Sequence, residues 1–233
     1  MAVIHHTTMQ PTKLELLAAW LPTRDWYTGR EEGPSPAKAG GFRLDDPAGE
    51  VGIEFMVVTD GPEQGAAAYL VPMTYRGAPL DGAEHALIGT SEHGVLGTRW
   101  IYDGAHDPVL VGQLYALLHG RAVAQDQSEN DTPDPTVSVS LGETGETGDG
   151  DGASGAADAE LVRVTERSDH TAVVVRASHA SSAPSAPEEL TLRVRRVLRA
   201  TEDDGAPGRA QVTAEWLLPD GSTTRGPYIS VDV

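Results

Sequence analysis

The stretch Val51-Gly52-Ile53-Glu54-Phe55-Met56-Val57-Val58 decides the fold class. In an extended chain successive side chains point to opposite faces. Val51, Ile53, Phe55 and Val57 then share one face, and Gly52, Glu54, Met56 and Val58 the other. Both rows are largely apolar, which predicts a central strand covered on both sides. Glu54 interrupts the pattern. A glutamate in such a row is a functional carboxylate, lies at a strand end, or is paired with an arginine, and a structural role is the preferred reading.

Outward from this strand, Asp60 to Gly65 reads as a hairpin loop. Ala66 to Tyr75 returns as a strand, with Tyr69, Val71, Met73 and Tyr75 on one face. Pro72 has no N–H to give to a ladder, so it predicts an edge strand or a bulge. On the N-terminal side, Asp45-Asp46-Pro47-Ala48-Gly49 is a turn signal and Thr28 to Gly41 a polar loop. Thr12 to Leu21 predicts a helix. Thr12 and Glu15 have capping-box spacing, Leu14, Leu17 and Leu21 share a face, and Pro22 stops the run. Trp26-Tyr27 are expected to pack this helix onto the sheet rather than to stack a sugar. Ala2 to Thr8 is read as a short terminal strand. Its His5-His6 pair would point to opposite faces, which makes it a poor metal site.

The second informative stretch is Leu87-Ile88-Gly89-Thr90-Ser91-Glu92-His93-Gly94-Val95-Leu96-Gly97-Thr98-Arg99-Trp100-Ile101-Tyr102-Asp103-Gly104-Ala105-His106-Asp107. Thr98 to Tyr102 reads as a short strand with Trp100 and Tyr102 on one face and Arg99 and Ile101 on the other. Asp107-Pro108 starts a second helix, the aspartate as cap and the proline at the first helical position. Its buried face is Leu110, Leu114, Leu117 and Leu118, and Gly120 ends it. From Ala122 to Val162 no lysine or arginine occurs, and 141–152 is acidic, glycine-rich and expected to be disordered. Beyond it, strands are predicted at Leu161–Val164, Ala172–Ala177, Leu190–Leu198, Gln211–Leu218 and Thr223–Val231, with Asp220-Gly221 as a turn. Arg193, Arg195, Arg196 and Arg199 are expected to pair with nearby acids on a solvated face rather than to dock an acidic partner. The fold class is therefore α+β: an antiparallel sheet with two helices, followed by an antiparallel β-rich segment. Three regions follow: 1–125, an acidic Gly-rich linker at 126–158 expected to be disordered, and a β-rich region at 159–233.

Composition removes several functions. Asp and Glu total 35 against 17 Lys and Arg, for a formal net charge of −18. Such a balance opposes nucleic acid and anionic membrane, whose polyanionic surfaces require a basic footprint. No cysteine is present, so thiolate chemistry and Cys-ligated zinc are excluded. There is no apolar run of membrane-spanning length and no signal-peptide pattern, and a cytoplasmic protein is expected. The Gly-x-Ser-x-Gly elbow, the His-Glu-x-x-His zinc motif and the Rossmann fingerprint are all missing. A kinase would need a glycine loop after a strand, a strand lysine and an Asp/Asn catalytic loop. Neither lysine, Lys13 or Lys38, is predicted to lie in a strand.

Four segments together resemble a known family: Lys13-Leu14-Glu15-Leu16-Leu17-Ala18-Ala19-Trp20-Leu21-Pro22 with Trp26-Tyr27; Phe42-Arg43-Leu44-Asp45-Asp46-Pro47-Ala48-Gly49-Glu50-Val51-Gly52; Val71-Pro72-Met73-Thr74-Tyr75-Arg76; and His93 to Asp103. They resemble the N-terminal cap domain of bacterial maltokinases and small stand-alone proteins related to it, often labelled 1,4-alpha-glucan branching protein. The likeness covers Met1 to Arg121. It implies a cystatin-like curved sheet with a helix against it. In the full-length kinases the cap precedes a kinase body that makes maltose 1-phosphate from maltose and ATP. Here an acidic linker and a β-rich segment follow instead, so kinase activity and ATP-binding residues do not carry over.

Two functions fit these residues. One is a non-catalytic accessory or regulatory module in alpha-glucan, maltose or trehalose metabolism, acting through a protein partner. The other is a small glucan-active enzyme or oligosaccharide-binding protein built on Glu92, His93, Arg99 and Asp103. In the second, Glu92 would be an acid, His93 a base, Arg76 and Arg99 anion or hydroxyl contacts, and Trp100 or Trp26 a stacking surface. Arg76, Glu92, His93, Arg99, Trp100 and Asp103 are the candidate binding residues under either reading. For Glu92-His93 the preferred role is to fix a glycine-rich turn. No catalytic residue, cofactor or metal is assigned; Glu84, His85, Glu92 and His93 are a weak ligand set.

Overall fold

A computed structural model describes residues 8–29, 33–61, 65–129, 132–141, 159–177, 188–199 and 210–232. The N-terminal strand read at Ala2–Thr8, apart from Thr8 itself, lies outside the described residues, as do the acidic run at 142–158 and the Ser/Ala/Pro loop at 178–187.

The strands in chain order are β1 (Met9–Gln10), β2 (Ala37–Leu44), β3 (Gly52–Asp60), β4 (Ala67–Arg76), β5 (Leu87–His93), β6 (Gly97–Asp103), β7 (Ser138–Leu141), β8 (Ala159–Glu166), β9 (His170–Ala177), β10 (Glu188–Arg195), β11 (Val197–Leu198), β12 (Ala210–Leu217) and β13 (Thr223–Asp232). The α-helices are α1 (Lys13–Trp20) and α2 (Pro108–Leu118). All the pairings are antiparallel. The order across the sheet is β1-β5-β6-β4-β3-β2-β12-β13-β10-β9-β8, with β7 on β12 and β11 on β4. The α+β class read from the sequence is the observed one.

β3 sits in the interior, as its two apolar rows require. Ile53, Phe55 and Val57 join a large core with α2 and the C-terminal strands, which contribute Val173, Leu192, Val212 and Trp216. Met56 and Val58 join a second core with Leu17, Trp20 and Leu21 of the α1 region, together with Trp26 and Tyr69. The two faces of one strand thus nucleate two cores, one under each helix. Trp26 is buried and meets Trp20 edge-on at 5.8 Å, the packing role expected of it. The Thr12–Glu15 capping box forms, and Asp107 caps α2 with Pro108 in its first turn. Gly120 follows the helix in the left-handed region, where a side chain is disfavoured.

Several local readings change. Residues 37–41, read as loop, belong to β2, so Lys38 does lie in a strand. Gly40 and Gly41 adopt φ of +147° and +118°, next to a register shift between Lys38 and Gly40. Two glycines and a bulge erased the alternation that marks a strand. Leu87–His93 forms β5, paired with β6 from Leu87↔Tyr102 to His93↔Gly97. Its Gly, Thr and Ser content hid it. Part of the expected disordered linker at 126–158 is also structured: Ser138–Leu141 forms β7 on β12, a strand of four residues too short to show an alternation beside the acidic run.

Pro72 is neither at an edge nor in a recorded bulge, because β4 has β3 on one side and both β6 and β11 on the other. On that second side β11 pairs Ala68 and Tyr69, and β6 begins at Met73. Leu70 donates toward this side, to Arg196 O. Alternation turns the ring nitrogen of Pro72 to the same side, into the gap between the two partners, where no donor is needed. The predicted strand Leu190–Leu198 divides at Arg196 into β10 and β11.

Candidate functional site

The densest polar construction lies at the end of β6. Asp103 terminates that strand, and its carboxylate caps the 3₁₀ turn Gly104–His106 by accepting from the Ala105 N–H at 3.2 Å. Four residues later Asp107 repeats the device, accepting from Val109 N–H at 2.9 Å at the start of α2. Each aspartate also holds an arginine. Arg196 Nη2 donates to Asp103 Oδ2 at 2.5 Å. Arg76 grips Asp107 through Nε at 2.6 Å and Nη2 at 2.7 Å. The short path from β6 into α2 is therefore pinned at both ends by charge-assisted bonds.

Arg196 is the residue that the sequence reading misplaced. It is not on a solvated face but fully buried. Its Nε donates to Thr171 Oγ1 at 2.7 Å, and its guanidinium lies 5.3 Å from the centre of the Trp26 ring. Arg196 falls in the buried row of Leu192, Val194 and Leu198, while Arg193 and Arg195 take the opposite parity and Arg199 is exposed. The alternation of the strand, rather than its run of charge, was the missing signal.

His106 stands between the two aspartates, with a ring nitrogen 3.0 Å from His85 Nε2. The two rings meet nearly perpendicular, at 83°. Asp103, His106 and Glu166 each present a ligand atom within 4.8 Å of the others. Glu166, the last residue of β8, accepts from Arg24 Nη1 at 3.2 Å. Burial holds the His106 imidazole below its ordinary pKa, with His85 and Arg196 acting in the same direction and Asp103 and Glu166 opposing.

Glu54 forms a second polar centre. It is buried beneath α1 and accepts from Lys13 Nζ at 2.6 Å, from the Tyr75 hydroxyl at 2.5 Å and from Gln127 Nε2 at 3.0 Å. Its cationic partner is a lysine rather than the expected arginine. Burial raises its pKa, yet the charge and hydrogen bond of Lys13, the Tyr75 hydroxyl and the charge of Lys38 together leave it lower than usual.

The six residues singled out in the sequence fall into separate groups. Glu92, His93 and Arg99 lie at the turn end of the β5–β6 hairpin. Glu92 accepts from Thr98 Oγ1 at 2.7 Å. His93 Nδ1 accepts from the N–H groups of Val95 and Leu96 at 3.3 and 3.1 Å, and Arg99 Nη2 donates to Leu96 O at 2.6 Å. These are turn-fixing bonds. Trp100 packs with Leu80, Ala83, Ala86 and Tyr102 in a small separate cluster. Asp103 is at the other end of β6. Thr98 lies opposite Glu92, and five residues of strand, about 17 Å, separate it from Asp103. Arg76 serves Asp107. His106 and Glu166 were not among those six, His85 figured only in the weak ligand set with Glu84, Glu92 and His93, and Glu166 comes from a strand 60 positions away from His106.

Residues 20–107 match the family model of the maltokinase N-terminal cap domain. Over this span the chain is similar to that domain, a narrower stretch than the Met1–Arg121 likeness read from motifs. The match runs from the last residue of α1 through β2–β6 and stops at Asp107, the cap of α2. Among the described residues no helix is long and apolar enough to cross a membrane.

Proposed function

We propose that this chain is a non-catalytic, cap-like accessory module of alpha-glucan, maltose or trehalose metabolism that acts through a protein partner. The family match over residues 20–107 supports the metabolic setting. The observation that carries the non-catalytic part is the separation of the candidate acids. Glu92 sits at the exposed end of a hairpin while Asp103 is buried beside Arg196. Two carboxylates acting on one glycosidic bond must face each other across roughly 5–10 Å. Arg76, Asp107, Asp103 and Glu54 are each engaged in bonds that join one element of the fold to another.

The test is affinity capture by the immobilised full chain from native lysate, with captured proteins identified by mass spectrometry. Enrichment of an enzyme of alpha-glucan, maltose or trehalose metabolism is the expected result. Recovery of unrelated proteins alone would overturn the partner reading. Turnover of maltose, trehalose or glycogen oligomers by the purified chain would overturn the non-catalytic one.

A further inference from the structure

We propose that Asp103, His106 and Glu166 bind a divalent transition-metal ion that clips the turn after β6 to the end of β8. The three side chains come from three elements: the end of β6, the following 3₁₀ turn, and a strand of the C-terminal half. Their ligand atoms lie within 4.8 Å of one another. Zinc bonds of about 2.0–2.2 Å place neighbouring ligand atoms some 3.3 Å apart. Closing onto an ion thus requires a contraction of up to about 1.5 Å, taken up by side-chain rotation at the half-buried His106 and Glu166.

The second line of support is the outer ring of partners. Metal ligands are aimed by hydrogen bonds from a surrounding layer. Here every member has one. Asp103 is held by Arg196 and by the Ala105 N–H, His106 meets His85, and Glu166 is held by Arg24. The same Arg196 carries a buried Nη1 without a hydrogen-bond partner among the described residues, although its Nε and Nη2 each donate a bond. A water completing the ion's coordination would accept from such a donor. An imidazole nitrogen with two carboxylates is a borderline donor set, suited to zinc or manganese and poorly suited to magnesium, which takes oxygen ligands and keeps its waters.

The role that follows is structural. The ion would tie the family-like first half to β8, closing a junction that Asp103 and Arg196 already hold from inside. This inference goes beyond the accessory role proposed above and does not depend on finding a partner.

The experiment titrates zinc chloride into the chelator-stripped full chain, with isothermal calorimetry for stoichiometry and thermal unfolding for stability. One ion per chain and a rise in Tm of several degrees are expected, with no comparable rise for magnesium. His106→Ala and Glu166→Gln should each weaken binding at least tenfold, and His85→Gln should weaken it about 10- to 100-fold as an outer partner. His5→Ala/His6→Ala should leave binding intact. Far-ultraviolet circular dichroism of each stripped variant checks folding, and if His106→Ala fails to fold, Glu166→Gln decides. Cobalt substitution supplies an independent readout, the visible d–d bands disappearing in Glu166→Gln. The absence of binding, binding unchanged in Glu166→Gln, or binding lost only with the His5/His6 pair would each overturn the proposal.

Discussion

Arg196 and Asp103 are 93 positions apart in the chain and 2.5 Å apart in space, both shut off from solvent. Their bond joins the first half of the chain to the break between β10 and β11. A buried pair of this kind owes its importance to what its loss exposes, because desolvating both charges offsets much of their attraction. Removing one partner leaves a bare charge in the core.

Arg196→Ala should therefore cost about 3–5 kcal/mol of unfolding free energy. The double variant Arg196→Met/Asp103→Asn should recover most of that loss. The neutral amide oxygen keeps the cap on Ala105 while the uncompensated carboxylate disappears. Urea unfolding of the three proteins measures both steps. A double variant no more stable than the single one would mean that the arginine acts by filling space rather than by matching charge.

Glu54 gives the pH dependence a sign. Its pKa in the folded protein is lower than the ordinary value of 4.5 because Lys13, Tyr75 and Lys38 outweigh the penalty of burial. The unfolded chain then takes up the proton first as the pH falls. The contribution of Glu54 is complete above pH 4.5 and disappears as the pH drops through the folded value. Glu54→Gln should be less stable than the parent at pH 7, and the gap should narrow progressively below pH 4.5. Denaturant melts between pH 7 and pH 3 follow the difference directly.

How much of this was legible in the residues depends on the range of the interaction. Val51–Val58, the Thr12–Glu15 box and the Asp107-Pro108 start were readable because each is local, fixed by alternation or by a side chain reaching its own backbone. β2 and β5 were not, since Gly40, Gly41 and Gly89 remove the side chains by which a strand announces itself. Glu54 was recognised as anomalous, but Gln127, 73 positions away, could not be foreseen as a partner. The polar cluster of Glu92, His93, Arg99 and Asp103 was dense in sequence and scattered in space, because β6 runs straight and carries its two ends apart. The group that does converge, around Asp103 and His106, takes Glu166 and Arg196 from distant strands whose pairing no local pattern encodes.

Gly41 tests the β2–β3 ladder. A Cβ at this position would lie 1.8 Å from the Phe55 carbonyl oxygen, and the residue holds φ at +118°. The obstacle is backbone rather than a side chain able to swing away, so Gly41→Ala should abolish the pairing and with it the folded state. Gly49 is the matched control: φ is +71°, with nothing within 4 Å of an added Cβ. Gly49→Ala should cost only the left-handed strain, about 1–2 kcal/mol. Circular dichroism and the dispersion of amide proton resonances separate the two outcomes.

Arg76 and Asp107 supply the most direct test of how the last residue of the family-like span supports α2. Asp107 is fully buried, caps the helix and receives two parallel bonds from one guanidinium. A lysine would keep the charge but not the planar fork that matches both carboxylate oxygens. Arg76→Lys should cost about 1.5–3 kcal/mol, the range for a hydrogen bond to a charged group. Asp107→Asn should cost a similar amount, since it keeps one acceptor for Val109 but loses the ion pair. Because both changes break the same contact, their effects should not add. A double variant close to either single one in a denaturant melt is the expected result, and simple additivity would show that cap and clamp act independently.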